Sequence, residues 1–459
     1  MTFQLLTKTA AAAAGGALCS VLICSAAHAQ SWLPDRDYTE GPGIQVGRLE
    51  LHPGVAARAG YDTNVFKGDG EPGGAPIEGS AMFAVTPHLN LTTEGQQRRT
   101  QGEERGSEAR PAIAFKLGAS STYNYYLEAD APKNVDVDAS AWLGILPGRP
   151  VNLEVSAEAV RSTRPFTQKP PEADENAPRK ERDRAYGNDR ISPRLRVNFG
   201  SASQVLTGYT SYSPGITIFE GDSFSYLSSL THLVEAGSAW KFLPSTALLY
   251  DARLGLNRYN DTTRTDAVVR YGDSNSFSTR LGTNGAITNT LSLRVMAGYA
   301  AGFYEDVVME EFEDVVGEAG LTWRFAPSHS FDLGYTRDVQ LSAVGGWMRT
   351  DRARAGVKLL FAGRFALGLD GSYGYATYGR ALNRDGDNLG TGTDGDERFD
   401  HRIEAALRGE YRATNWLAFM ADATYQGVFT DFEYAVGSAP PDPGGFEAFQ
   451  VFGGVRAHY

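Results

Sequence analysis

The chain has 459 residues and two cysteines, Cys19 and Cys24. Both precede Ala29, so the remainder has no thiol nucleophile, no thiolate metal site and no disulfide. Long apolar runs are missing as well: beyond Ala29 nothing approaches the ~20 consecutive apolar residues of a membrane helix. A membrane crossing would have to be made with strands. Basic clusters interleaved with aromatics are absent, and the formal net charge is −12, which argues against a nucleic-acid partner. There is no G-x-S-x-G, no H-E-x-x-H, no GxxxxGK[ST], and no G-x-G-x-x-G between a strand and a helix. His52, His88, His232, His329, His401 and His458 are scattered and share no metal spacing. The expectation is therefore a protein that is not an enzyme and has no catalytic residue, cofactor or metal.

What is present begins with a targeting segment. Lys8 is the one charge before a small, apolar run at 10–27, and Ala27-His28-Ala29 supplies an A-x-A cleavage pattern. Residues 1–29 read as a secretory signal peptide, with a membrane helix as the competing reading. Residues 30–43 are polar and turn-rich and read as a short periplasmic segment. Residues 44–459 form one domain.

That domain is rich in glycine (52) and in tyrosine and phenylalanine (22 and 23), which suits packed strands and aromatic girdles. Its polarity alternates with period 2. Leu248, Tyr250, Ala252, Leu254 and Leu256 share one face, opposite Asp251, Arg253 and Asn257. Ile403, Ala405, Leu407 and Tyr411 oppose Arg402, Glu404, Arg408 and Glu410. Strands are expected at 46–62, 81–93, 111–128, 134–146, 150–163, 190–200, 203–213, 223–243, 246–260, 275–287, 290–304, 312–325, 329–341, 350–362, 364–379, 399–412, 416–430 and 446–459. From Leu146 onward, tight connections such as 146–150, 243–245 and 361–364 alternate strictly with longer polar ones at 164–189, 213–222, 261–274, 306–311, 382–397 and 431–445. Short periplasmic turns and long extracellular loops are the pattern of an outer-membrane barrel. The fold class is an all-β, transmembrane antiparallel β-barrel of 18 strands, with 16 as the competing count. The long charged stretch at 92–110 falls on the periplasmic side of this count, against the pattern.

Near the start stand Leu51 and Pro53, then Tyr61-Asp62-Thr63-Asn64-Val65-Phe66. The phrase resembles the opening of the β-barrel porin 2 group of outer-membrane barrels, which carry L-x-P-x(7)-Y-D-[ST]-N-[VI]-[FY]. The group includes barrels tied to exopolysaccharide export. The resemblance implies passage of secreted polysaccharide out of a Gram-negative cell, with periplasmic polysaccharide-export components as partners. Asp62, Asn64 and Phe66 have two readings: they line a pore mouth, or they shape a turn and anchor it at the interface.

A charge on the lipid face costs roughly 2–4 kcal/mol at mid-membrane, so the charged parity must face inward. At 16–18 strands the interior is too wide for side chains to fill, and an aqueous channel results. The expected pore-lining set includes Arg253, Arg294, Arg354, Lys358, Asp370, Arg402, Glu404, Arg408, Glu410, Asp422 and Arg456. The bland reading of each is a cross-strand ion pair that holds register. The loop at 164–189 is the candidate constriction. The acidic loop at 385–400 carries Asp385, Asp387, Asp394, Asp396 and Glu397, a calcium-like composition without a calcium-loop motif. The closing strand, with Phe449, Val451, Val455 and Tyr459 on one face, reads as the outer-membrane insertion signal for the barrel-assembly machinery. Lipid of the outer membrane is the other partner expected. An uptake porin and a non-conducting structural or adhesive barrel are the rival readings.

Overall fold

Residues of alternating polarity fold as strands in which every second side chain points to one face. The computed structural model describes residues 43–68, 70, 77–93, 112–129, 134–163, 187–201, 203–220, 222–260, 271–342, 346–383, 385–389, 397–430, 432 and 445–459. The expected signal peptide, nearly all of 30–43, most of the loop at 164–189, and Asp394 and Asp396 lie outside them.

The strands are β1 (Ile44–Val46), β2 (Leu49–Asp62), β3 (Ser80–Thr92), β4 (Ile113–Tyr126), β5 (Asn134–Ile145), β6 (Val151–Ser162), β7 (Asn188–Phe199), β8 (Leu206–Phe219), β9 (Ser229–Leu243) and β10 (Thr246–Tyr259). They continue as β11 (Ser274–Ala286), β12 (Leu291–Tyr304), β13 (Phe312–Ala326), β14 (His329–Ser342), β15 (Gly346–Phe361), β16 (Phe365–Tyr378), β17 (Phe399–Arg412), β18 (Leu417–Thr430) and β19 (Phe446–His458). From β2 onward each pairs antiparallel with the next, and β19 pairs with β2 from Gln450↔Asp62 to His458↔Gly54. The wall is a closed ring of eighteen strands. Sixteen is excluded.

The short β1 is an addition to that ring. A two-residue turn at Gly47 (φ 62°) and Arg48 folds it back on β2, Ile44 opposite Leu51. It occupies the edge of β2 just beyond the end of β19, where the Tyr459 amide donates to the Pro53 carbonyl (2.9 Å).

Three expectations need correction. The strand expected at 203–213 is β8, which runs on to Phe219. Pro214-Gly215 reads as a turn, yet Pro214 stays in the wall opposite His232 of β9. Toward β7 the ladder is interrupted between Ile191↔Ile216 and Leu195↔Tyr212, and there the Ser213 hydroxyl donates to the Pro193 carbonyl (2.7 Å). Proline has no N–H to give a ladder, so two prolines near one gap cost little. The ninth strand starts at Ser229 rather than 223, because Asp222–Leu227 forms a short 3-10 helix. The alternation of short and long connections is not strict: β14 and β15 are joined on the loop side by 343–345 alone. The 93–112 connection does lie at the tight-turn end, as the strand count required.

Between its rims the outer face is apolar, and toward the loop end Arg337 and Asp351 pair on the outer parity (2.7 Å). Leu254, Leu369, Leu407, Val451 and Phe449 are all exposed on it. Aromatics gather near the tight turns: Trp323, Phe325, His329, Phe361 and Phe365 follow one another at ring separations of 5.3–6.0 Å. Toward the loop end, the Tyr212 and Tyr373 hydroxyls lie 2.7 Å from Nδ1 of His232 and His401. Amphipathic rings at both rims and aliphatics between them match a bilayer.

Candidate functional site

In register, alternate residues face the lumen. Arg253, Arg294, Arg354, Lys358, Asp370, Arg402, Glu404, Arg408, Glu410, Asp422 and Arg456 all sit on the inner parity of their strands. Phe449, Val451, Val455 and Tyr459 sit on the outer side of β19 and at its end.

The inner face divides into unlike arcs. From β7 round to β13, and again from β15 to β19, basic and acidic side chains are joined across strands. Glu235 takes Arg194 at 2.8 Å and Arg253 at 3.3 Å. Asp251 takes Arg280 at 2.8 Å, and Glu318 bonds Arg294 and stands 3.9 Å from Arg280. Further round, Arg352 meets Glu404 (2.6 Å), Arg408 meets Asp370 (2.8 Å) and Arg456 meets Glu410 (2.7 Å). At the loop end Asp400 is fully buried. It accepts from Arg398 (2.8 Å) and from the Tyr378 hydroxyl (2.8 Å), with Arg402 at 3.5 Å. The Arg398 guanidinium lies over the rings of Tyr378 and Phe432, at 5.1 and 5.7 Å. Arg354 and Lys358 make no ion pair among the described residues.

The arc from β3 to β6 differs. Its inner residues are mostly hydroxyls, amides and glycines, bonded to one another. The Thr86 and Thr122 hydroxyls are 2.9 Å apart, Asn124 donates to Asp136 (3.1 Å), and Asn198 of β7 donates to Asn152 (2.8 Å) and Glu154 (2.7 Å). Asp136, Asp138, Glu154 and Glu158 form no ion pair among the described residues, nor does Lys116.

The loop-side mouth is narrowed by a hairpin. β13 and β14 stay paired only up to Gly317↔Arg337. Beyond that point Val339, Leu341 and Trp347 turn their outer sides onto the inner residues Ala300, Phe312 and Val316. Trp347 stands 6.2 Å from Phe312, and Arg349 reaches Asp314 at 2.9 Å. The loop-end stretches of β14 and β15 thus lie inside β12 and β13. Apolar residues at lipid-facing parity gave no signal of this. The expected constriction, the loop at 164–189, lies mostly outside the described residues.

Asp62, Thr63 and Asn64 resolve as a clasp between the first and last strands of the ring. Gln450 donates to the Asp62 carboxylate (2.8 Å). The Thr63 amide donates to the Phe449 carbonyl (3.0 Å), and the Phe449 amide returns a bond to the Thr63 hydroxyl (2.9 Å). Asn64 donates to the carbonyls of Glu447 (2.9 Å) and Gly68 (2.7 Å) and accepts from the Gly68 amide (3.0 Å). Phe66 is buried beside Val65 and Ala129 in a small external core. The structural reading of these residues holds over the pore-mouth reading.

The phrase that suggested a family is therefore the phrase that closes the ring. The family model described as "Putative beta-barrel porin 2" matches residues 39–435. The chain belongs to that family. This porin is thus an outer-membrane β-barrel channel protein by family and fold. No curated protein sequence matches it. Among solved structures it is similar to Pseudomonas aeruginosa OccK2 (OpdF) in complex with glucuronate: 11% identity, 89% of this chain and 97% of that one, TM-score 0.46. It is also similar to a BenF-like porin from Pseudomonas fluorescens Pf-5, with 9% identity, 90% and 100% coverage and a TM-score of 0.45. The siderophore receptor PirA from Pseudomonas aeruginosa gives 9% identity, 89% and 80% coverage and a TM-score of 0.40.

Proposed function

We propose that this porin lets a secreted, hydroxyl-rich polymer, an exopolysaccharide, leave the cell across the outer membrane. The observation that carries the reading is the chemistry of the inner face. Charges of both signs are mutually neutralised over most of the circumference, and the remaining arc offers hydroxyls, amides and carboxylates. Such a wall holds water and makes many weak, exchangeable hydrogen bonds, which suits a polyhydroxylated chain that must bind and move on. A single-sign wall would instead hold counter-charged solutes. The resemblance of the opening phrase implies the same solute class. In this reading residues 1–29 are removed on export to the periplasm, the barrel-assembly machinery inserts the chain, and periplasmic export components deliver polymer to the tight-turn end.

Deletion of the gene, with released polysaccharide measured, is the deciding experiment. A loss of release restored by the gene in trans is the expected result; unchanged release overturns the export reading. In planar bilayers the purified protein should conduct. Conduction together with normal polysaccharide release would favour an uptake porin, and no conduction at any voltage would favour a structural barrel.

A further inference from the structure

One aromatic on the open arc has no packing partner of its own kind among the described residues. Trp142 of β5 lies on the inner parity, in register with Lys116 of β4 and Ser156 of β6. Its indole rests along the wall over Gly144: a Cβ there would stand 2.5 Å from Cη2. In the described structure the other tryptophans, Trp240, Trp323 and Trp416, are exposed at the outer rim or turns, and Trp347 is packed against Phe312. Trp142 makes no ring contact with another aromatic among the described residues.

Its neighbours are small or polar. Ser140 stands next above it on β5, opposite Gly118 and Glu158. A Cβ on Gly118 would meet Asn90 Oδ1 at 2.7 Å and Ser140 Oγ at 3.1 Å, so the Asn90 amide leans across the glycine toward the serine. Asn90 Nδ2 is buried there, with no hydrogen-bond partner among the described residues. Below the ring, Glu154 is opposite Gly144. Asp138 is one step further up β5, in register with Ser120 and Val160. On the inner parity of β3–β6, Asp136, Asp138, Glu154 and Glu158 outnumber Lys116, and Arg196 of β7 stands in register with Glu154.

An indole lying over Gly144, with the hydroxyls of Ser140 and Ser156 and the carboxylates of Glu154 and Glu158 at neighbouring inner positions, suits a pyranose. The C–H-rich face of the sugar lies on the ring, and its equatorial hydroxyls reach the polar rim. The excess of carboxylates sets the sign: a uronate would be repelled, and an ammonium group would be attracted to both the ring and the acids. We infer that Trp142, with Ser140 and Glu158, forms a saccharide-binding station for neutral or amino sugars that discriminates against acidic ones. The inference rests on the polysaccharide reading above and names the chemistry of the polymer.

The test uses the purified full chain in planar bilayers, with a malto-oligosaccharide, a chitosan oligomer and an oligogalacturonate as probes. The first two should interrupt the current at lower concentration than the third. Trp142→Ala should raise the half-blocking concentration of the malto-oligosaccharide by about tenfold, while Trp142→Phe keeps most of the block. The double variant Asp138→Asn, Glu158→Gln should weaken the chitosan block and admit the galacturonate. Equal block of wild type and Trp142→Ala, or preferential block by galacturonate, overturns the station while leaving a conducting channel in place. A protein that does not conduct at all defeats the transport reading instead. Calorimetry of the same probes on detergent-solubilised protein then decides the station: heat lost in Trp142→Ala sustains it, and absence of heat in wild type refutes it.

Discussion

The two parts of the inner wall solve one problem in different ways. Both must carry polar side chains on a surface whose other side is oil. From β15 to β19 the solution is pairing: Arg352 with Glu404, Arg408 with Asp370, Arg456 with Glu410. From β3 to β6 it is neutrality and small size, with threonines and asparagines bonded to each other or to a carboxylate, and no carboxylate in an ion pair among the described residues. The first arrangement spends its hydrogen-bonding capacity on itself. The second leaves part of it, at Asp138 and Glu158, available to a solute. Composition alone would call both walls polar; only the partners separate them.

If that division is right, substitutions in the two arcs should differ in kind. The largest effect belongs to Glu410→Ala. Glu410 is 2% exposed and its partner Arg456 14%, so removal strands a nearly buried guanidinium. A loss of about 3–5 kcal/mol is expected, read from urea unfolding of protein in lipid vesicles. A loss below about 1 kcal/mol would mean that the paired arc is not held by its pairs.

The seam lies outside both arcs and supplies a control. Asn64→Ala removes bonds to Glu447 and Gly68 and should cost about 1–3 kcal/mol, with single-channel conductance unchanged. Altered conductance would return Asn64 to the pore mouth.

A smaller effect is expected from Arg408→Gln. Its partner Asp370 is 47% exposed to lumen water, so the pair should contribute about 0–1 kcal/mol, and less at high salt. The smallest belongs to the open arc. Glu158→Gln removes a carboxylate that stands beside Asp138 with no cation on it, and unfolding should be unchanged or slightly harder. A clear destabilisation would show that Glu158 has a structural partner and that the two arcs are not distinct.

The parity of each strand was legible because lipid punishes error: a charge on Leu254 or Leu407 would be costly, so alternation survives there in plain view. Strand number followed from the punctuation of turns and loops. Pairing was not legible. Arg352 reaches Glu404 across the intervening strand β16, and Arg194 reaches Glu235 across β8, so each contact depends on the accumulated register of three strands. Nor could the inward hairpin be seen, since Val339, Leu341 and Trp347 satisfy the lipid-facing pattern while packing against the lumen side of β12–β13. Pro214-Gly215 misled for a related reason: a turn signal is local, and the wall on either side overruled it. The clasp was half legible. Asp62 and Asn64 were recognisable as turn formers, but their partners lie almost four hundred positions away.

That distance gives the clasp its physical meaning. Every other junction in the ring joins strands that follow one another in the chain, so each forms as a local hairpin. The β19–β2 junction alone brings together segments at separations of 383–404 residues. Chain entropy makes that closure roughly 2–3 kcal/mol harder than a hairpin of ordinary span. A ring of this kind is open on one side until its last step. An unclosed edge is also where another chain can add a strand. Asp62, Thr63 and Asn64 stand at that edge, and their side-chain bonds to β19 offset the entropy of the one non-local contact. The family phrase is then a signature of how the ring finishes folding, independent of what passes through it.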